Sequence, residues 1–154
     1  YLTHKCSNLG FNPEIILSGR RTNDSMPSFI ASEITKRHQN INNLDKEILI
    51  LGATFKENCP DTRNSKIFDL SIILKEYGFN CDIEDPYAGN DDRVVNYKQK
   101  NFINQKKYDV LILAVKHDIF KKEPYYPPKN LLKENGLLVD IKNFYPRSFG
   151  AIRL

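Results

Sequence analysis

A chain of 154 residues with 40% hydrophobic and 27% charged residues supports one ordinary globular domain with a short appendage, and excludes a disordered tail. The net charge of +4 is spread along the chain, with no basic run beyond pairs such as Lys106-Lys107 and Lys121-Lys122, which argues against a nucleic-acid partner. No apolar run reaches membrane-spanning length, no signal peptide precedes the first expected helix, and the cysteines and histidines are scattered without metal or disulfide spacing, so a cytoplasmic setting with no membrane and no metal is expected.

Tyr1 to Gly10 reads as the end of a helix closed by Gly10. Pro13 is placed to open a second helix reaching His38, with Ile15, Ile16, Met26, Phe29, Ile30 and Ile34 at near-helical spacing. Pro27 interrupts that pattern: either the helix restarts from an Asn23 or Ser25 cap, or one long helix passes through a kink. Asn40 to Lys46 is a polar linker, and the expected division is a helical arm over residues 1–44 and a domain over residues 45–154.

The stretch EILILGATFKENCPDTRNSK, from Glu47 to Lys66, organises the rest. Ile48 to Leu51 is a short β-favouring run that stops at Gly52, and the polar loop from Ala53 to Arg63 leads to a helix capped by Asn64 or Ser65. Strand, cationic loop and helix in that order put Lys56 and Arg63 at the carboxyl edge of a parallel sheet, where open α/β folds hold their ligands. Gly52 is the only glycine between strand and helix, so a dinucleotide fingerprint is absent. A phosphate here would be held by side chains, with Lys56 as a point charge, Arg63 as a planar fork and the helix N-terminus beyond. Solvated surface cations are the alternative reading. Asp61 either orients Arg63 or serves a Pro-Asp turn.

The helix from Ser65 runs to Tyr77, Gly78 ends it, and Phe79 to Glu84 forms a second strand closed by Asp85-Pro86. An acidic residue there binds a ribose in dinucleotide folds; without the glycine fingerprint, Asp85 is expected to cap a turn. An irregular helix is expected over Arg93 to Lys100. Tyr108 to Val115, YDVLILAV, is a buried strand. His117 follows at its carboxyl end, near the crevice of Lys56, where bonding to neighbours is expected rather than catalysis because nothing adjacent in sequence positions it as a base. The EPYYPP stretch reads as a stiff surface connection, and Gly136 to Lys142 as the last strand, with Asp140 and Lys142 at its end. Four βα-type units imply an α/β fold of Rossmann type, a doubly wound parallel sheet preceded by a helical arm.

The block GATFKENCPDTRNSK, with the opening YLTHK and the run GRRTNDSMP, resembles the C-terminal half of the UDP-glucose/GDP-mannose dehydrogenase family. Within it the chain is most similar to the bacterial branch that oxidises UDP-N-acetylhexosamines to uronic acids for surface polysaccharides. The resemblance implies that Phe55 and Lys56 contact the nucleotide sugar and that Lys142, two residues after Asp140, helps to hold it, although a lysine lacks the fork of the arginine found in many members. It implies that Arg63 reaches NAD, bound mainly on another domain. It also implies a homodimer through the long helix, with packing of Phe29, Ile30 and Ile34 onto their own domain as the alternative. The nucleophilic cysteine of the family is expected upstream of Tyr1, so no catalytic residue is assigned here. Cys6 is expected in a half-buried helical position and Cys59 as packing or loop lining, despite two nearby cations. By this resemblance the chain is part of an NAD-dependent UDP-sugar 6-dehydrogenase and is inactive alone. A UDP-glucose or UDP-N-acetylmannosamine dehydrogenase fragment, a non-catalytic assembly module, and a mononucleotide-binding domain, which the missing glycine loop disfavours, are the alternatives.

Overall fold

The computed structural model describes residues 5–6, 8–38, 46–94 and 106–154. Four strands, β1 (Lys46–Leu51), β2 (Phe79–Glu84), β3 (Tyr108–Leu113) and β4 (Leu132–Asp140), pair in parallel in the spatial order β2-β1-β3-β4. β1 from Ile48 and β3 from Val110 are apolar to their ends because both of their faces are covered there. On one face Ile48, Ile50, Val110 and Ile112 pack against two helices, α1 (Glu14–His38) and α2 (Lys66–Glu76), through Ile34, Phe68 and Leu74. On the other, Leu49, Leu51, Leu111 and Leu113 lie under an aromatic layer of Tyr108, Phe120, Tyr125 and Tyr145. Two short 3-10 turns add to this side of the core, Asp118–Lys121 with Phe120 and Pro128–Leu131 with Leu131.

The helical arm is one continuous helix of 25 residues that passes through Pro27, which is buried. Its apolar stripe divides. Ile30, Ala31 and Ile34 are buried against the arm's own domain, whereas Ile15 is 90% exposed and Phe29 half-exposed. An ion pair of 2.9 Å between Asp24 and Lys66 fastens α1 to the start of α2.

Three boundaries differ from the sequence reading. β4 begins at Leu132 rather than Gly136, because an edge strand accepts the polar Lys133, Glu134 and Asn135 on its solvent side, and it ends at Asp140, leaving Lys142 beyond it. β3 ends at Leu113, since the N–H groups of Ala114 and Val115 both turn to the Leu51 carbonyl. The EPYYPP connection is anchored rather than superficial: Tyr125 is buried and its hydroxyl donates to Glu84 Oε1 at 2.6 Å. The expected helix over Arg93 to Lys100 lies, beyond Val94, outside the described residues, as does the expected boundary at residues 44 and 45.

The chain leaves β1 toward β2 and leaves β3 toward β4, on opposite sides of the sheet order. The carboxyl ends of β1 and β3 therefore flank a topological switch point, the place where parallel α/β sheets open a crevice.

Candidate functional site at the carboxyl edge of the sheet

Gly52 ends β1 at φ +95°, and a Cβ at this position would stand 2.5 Å from the Cβ of Val115. Only glycine lets the loop leave β1 this close to the end of β3. Beyond the loop, Ser65 caps α2, its hydroxyl accepting the Ile67 N–H at 3.4 Å.

Two buried aspartates organise the floor. Asp85, at the end of β2, accepts the N–H groups of Ala53 and Thr54 at 2.7 and 2.9 Å and that of Tyr87 at 2.8 Å, and lies 3.0 Å from His117 Nε2. Burial alone would raise its pKa; the hydrogen bonds from His117, Ala53 and Tyr87 outweigh it and hold the carboxyl below its ordinary value. The turn-capping role expected of Asp85 is thus present, and it extends to the β1 loop. Asp140, fully buried at the end of β4, accepts from the N–H groups of Lys142, Phe144 and Tyr145 at 3.2, 3.1 and 2.8 Å.

Phe55, Lys56 and Lys142 come together around one cavity of about 220 Å³, floored by Thr54, Ala114 and Val115. Phe55 is 65% exposed and forms a wall shared with an adjoining groove of about 550 Å³, where Arg63 lies with Arg20 and Arg93. Arg63 is held by its neighbour: its Nε and Nη2 donate to the two Asp61 oxygens at 2.9 and 2.8 Å. The guanidinium in turn holds the Asp61 pKa down at about 2. Arg93 repeats that clamp with Asp91, at 2.8 and 2.6 Å, and rests over the Phe68 ring, 3.6 Å from its centroid. Cys59 is half-buried and not bonded to another cysteine.

A model of the UDP-glucose/GDP-mannose dehydrogenase family, UDP binding domain, matches residues 49–147. The chain belongs to this family. It is 37% identical to UDP-N-acetyl-D-glucosamine 6-dehydrogenase of Pseudomonas aeruginosa over 158 residues, covering 100% of the chain and 37% of that protein. It is 39% identical to Protein CapL of Staphylococcus aureus over 149 residues, 92% of the chain and 34% of that protein. The chain thus spans just over a third of the length of these relatives. Among solved structures, UDP-D-ManNAc dehydrogenase from Pyrococcus horikoshii matches 96% of the chain and 34% of its own, with a TM-score of 0.73 and 23% identity, a likeness of fold. The resemblance expected from the FKENCPDTRN block and the Rossmann-type fold are both borne out.

As a member of this dehydrogenase family the chain presents chemistry suited to binding: Lys56, Lys66, Lys142 and an aromatic edge over a preorganised floor, with a neighbouring groove of guanidinium groups. Lining residues such as Lys66 and Asn23 had no site role in the sequence reading. Lys66 looks like an ordinary first-turn helix residue, and Asn23 belongs to the arm; only the docking of α1 on α2 carries Asn23 to both cavities. The partners of His117 were equally hidden, for they lie 32, 59 and 63 residues away in sequence.

Proposed function

We propose that this chain is the nucleotide-sugar-binding portion of an NAD-dependent UDP-sugar 6-dehydrogenase that makes UDP-uronic acids, most closely of the UDP-N-acetylhexosamine type, for surface polysaccharide in the cytoplasm. The observation that carries the reading is the cavity itself: within residues 49–147, matched as a UDP binding domain, Phe55, Lys56 and Lys142 line one space. In this role Lys56 and Lys142 supply positive charge to the diphosphate and Phe55 offers an aromatic edge to the sugar side. The convergence of the two lysines counts against the assembly-module alternative.

NAD fits this chain from one side only. Gly52, the one glycine between β1 and α2, packs against Val115 and forms no phosphate cradle, so the chain's contribution is Arg63, which Asp61 presents at the groove. When bound, NAD accepts the hydride that alcohol oxidation releases. In this reading NAD is held mainly outside the chain, and neither a nucleophilic thiolate nor a turnover is assigned to it. The exposed half of α1, with Ile15 and Ile16, supports the arm, residues 1–44, as the homodimer contact beside the binding domain, residues 45–154.

Calorimetric titration of the chain with UDP and, separately, with NAD tests the proposal. UDP is expected to bind, and Lys56→Ala to weaken it about tenfold while leaving stability within about 0.5 kcal/mol. Equal UDP binding by the variant would remove Lys56 from the site. Tight NAD binding would overturn the assignment of which ligand this portion holds.

A further inference from the structure

His117 lies four residues beyond the end of β3 and is fully buried, and its two ring nitrogens face different neighbours. Nδ1 accepts the Asn58 N–H at 2.8 Å and so carries no proton itself. Nε2 lies 3.0 Å from both Asp85 Oδ2 and Thr54 Oγ1. The Thr54 hydroxyl donates its one proton to the Lys56 carbonyl at 3.1 Å, and so accepts from Nε2. The hydrogen-bond inventory is therefore satisfied by a single state, the neutral ring with its proton on Nε2 shared between a carboxylate and a hydroxyl. Tyr87 and Phe120 hold the ring itself, with centroids at 4.8 and 5.3 Å.

These contacts bracket Phe55 and Lys56. Before them, the Ala53 and Thr54 N–H groups end on Asp85; after them, Asn58 ends on His117. Asn58 is itself in the left-handed region at φ 53°, a conformation that needs outside support. Its side chain adds an exposed pair with Asp118 at 3.0 Å, and Glu57 a looser one with Lys116 at 3.8 Å. Among the described residues, the buried side-chain ties of this loop to the ends of the sheet thus run through one residue pair, Asp85 and His117.

We propose that His117 is the positioning residue of the nucleotide-sugar cavity: its Nε2–H fastens the near end of the loop and its bare Nδ1 the far end, so that Phe55 and Lys56 meet a diphosphate-bearing ligand already in place. A loop ordered before binding does not lose that ordering entropy on association, which is how a residue that never touches the ligand raises affinity. The ligand's identity rests on the proposed function; the control of the loop does not.

Two variants separate the halves of this role. His117→Asn keeps an acceptor near Nδ1 for the Asn58 N–H and gives up the Nε2 side, whereas His117→Gln reaches Asp85 and leaves the Asn58 N–H unmet. Hydrogen exchange of the Asn58 amide in the ligand-free chain, the melting temperature, and UDP affinity are measured for each. His117→Gln is expected to speed Asn58 exchange and to weaken UDP about tenfold. His117→Asn should hold both closer to the wild type although its smaller side chain lowers the melting temperature at least as much. Losses of affinity that simply follow melting temperature across both variants, or Asn58 exchange unchanged in His117→Gln, would overturn the positioning role. Should the wild type fail to bind UDP, the ligand assignment falls while the exchange measurement still decides the loop. Should neither variant fold, nitrogen NMR of the wild-type ring decides, since a proton on Nδ1 contradicts the proposal and a lone Nε2 proton upholds it.

Discussion

Asp140 and Asp61 each stand two residues before a cation at the crevice, and they do different things with their oxygens. Asp140 is fully buried and takes three backbone N–H groups, shaping the turn after β4 so that Lys142 is delivered by its main chain rather than by a clamp on its ammonium. Asp61 lies at the surface and grips the Arg63 side chain with both oxygens, fixing the guanidinium rather than the turn alone. Where water is excluded, a carboxylate is most valuable to backbone donors that have no other partner; where water competes, a bidentate clamp on a planar cation is what persists. The floor of the crevice and its rim are built on that difference.

The floor should break hardest. Gly52→Ala places a Cβ against Val115 at a left-handed φ, and a loss of about 3 kcal/mol is expected, read as a shift of the denaturant midpoint at constant m-value. Asp140→Ala strands three N–H groups, one of them belonging to the buried Tyr145, and should cost about 2 kcal/mol by the same measurement. A loss no larger than that of an exposed substitution would mean that water reaches the turn. At the rim the expected effect is small in stability and visible in titration. The Asp61 carboxyl, held at about 2 against an ordinary 3.8, should keep its clamp as pH falls through 4 and release it near 2. Because the folded value is the lower one, the slight stability it adds is complete above the unfolded pKa and disappears as pH falls through the folded one. Carbon NMR titration of Asp61 in Arg63→Gln should return the midpoint toward 3.8; an unmoved midpoint would remove Arg63 as its cause.

Much of the fold was legible because its signals are local. Ile48 to Leu51 and Val110 to Leu113 are β-favouring and apolar on both faces, Ser65 precedes an amphipathic run, and Pro13 sits just before α1. The positions of Phe55, Lys56 and Lys142 around one cavity followed from strand-end logic joined to a motif. What escaped was pairwise. Nothing near His117 in sequence announces Asp85 or Asn58, and a single chain carries no record of which distant residues meet. The polar start of β4 escaped because pairing with β3, through Tyr108 and Leu132, overrides its weak local preference. The burial of Tyr125 escaped because a proline-rich run reads as surface until Glu84 claims its hydroxyl.

Pro27 sits where α1 changes from a helix with buried apolar contacts to an exposed one tied to α2 at its surface through Asp24 and Lys66, and its ring offers no N–H to the Asn23 carbonyl one turn earlier. In mechanical terms it marks the root of a cantilever. The segment from Glu14 to Pro27 is about 20 Å long at 1.5 Å per residue, so a flexure of about 10° at the missing bond would carry its tip about 3.5 Å sideways. The root itself barely moves in such a flexure, and Asn23, one turn away and lining both cavities, moves by about 1 Å. The far end of α1 can therefore adjust to whatever it meets about three times as far as the crevice wall at Asn23 has to follow.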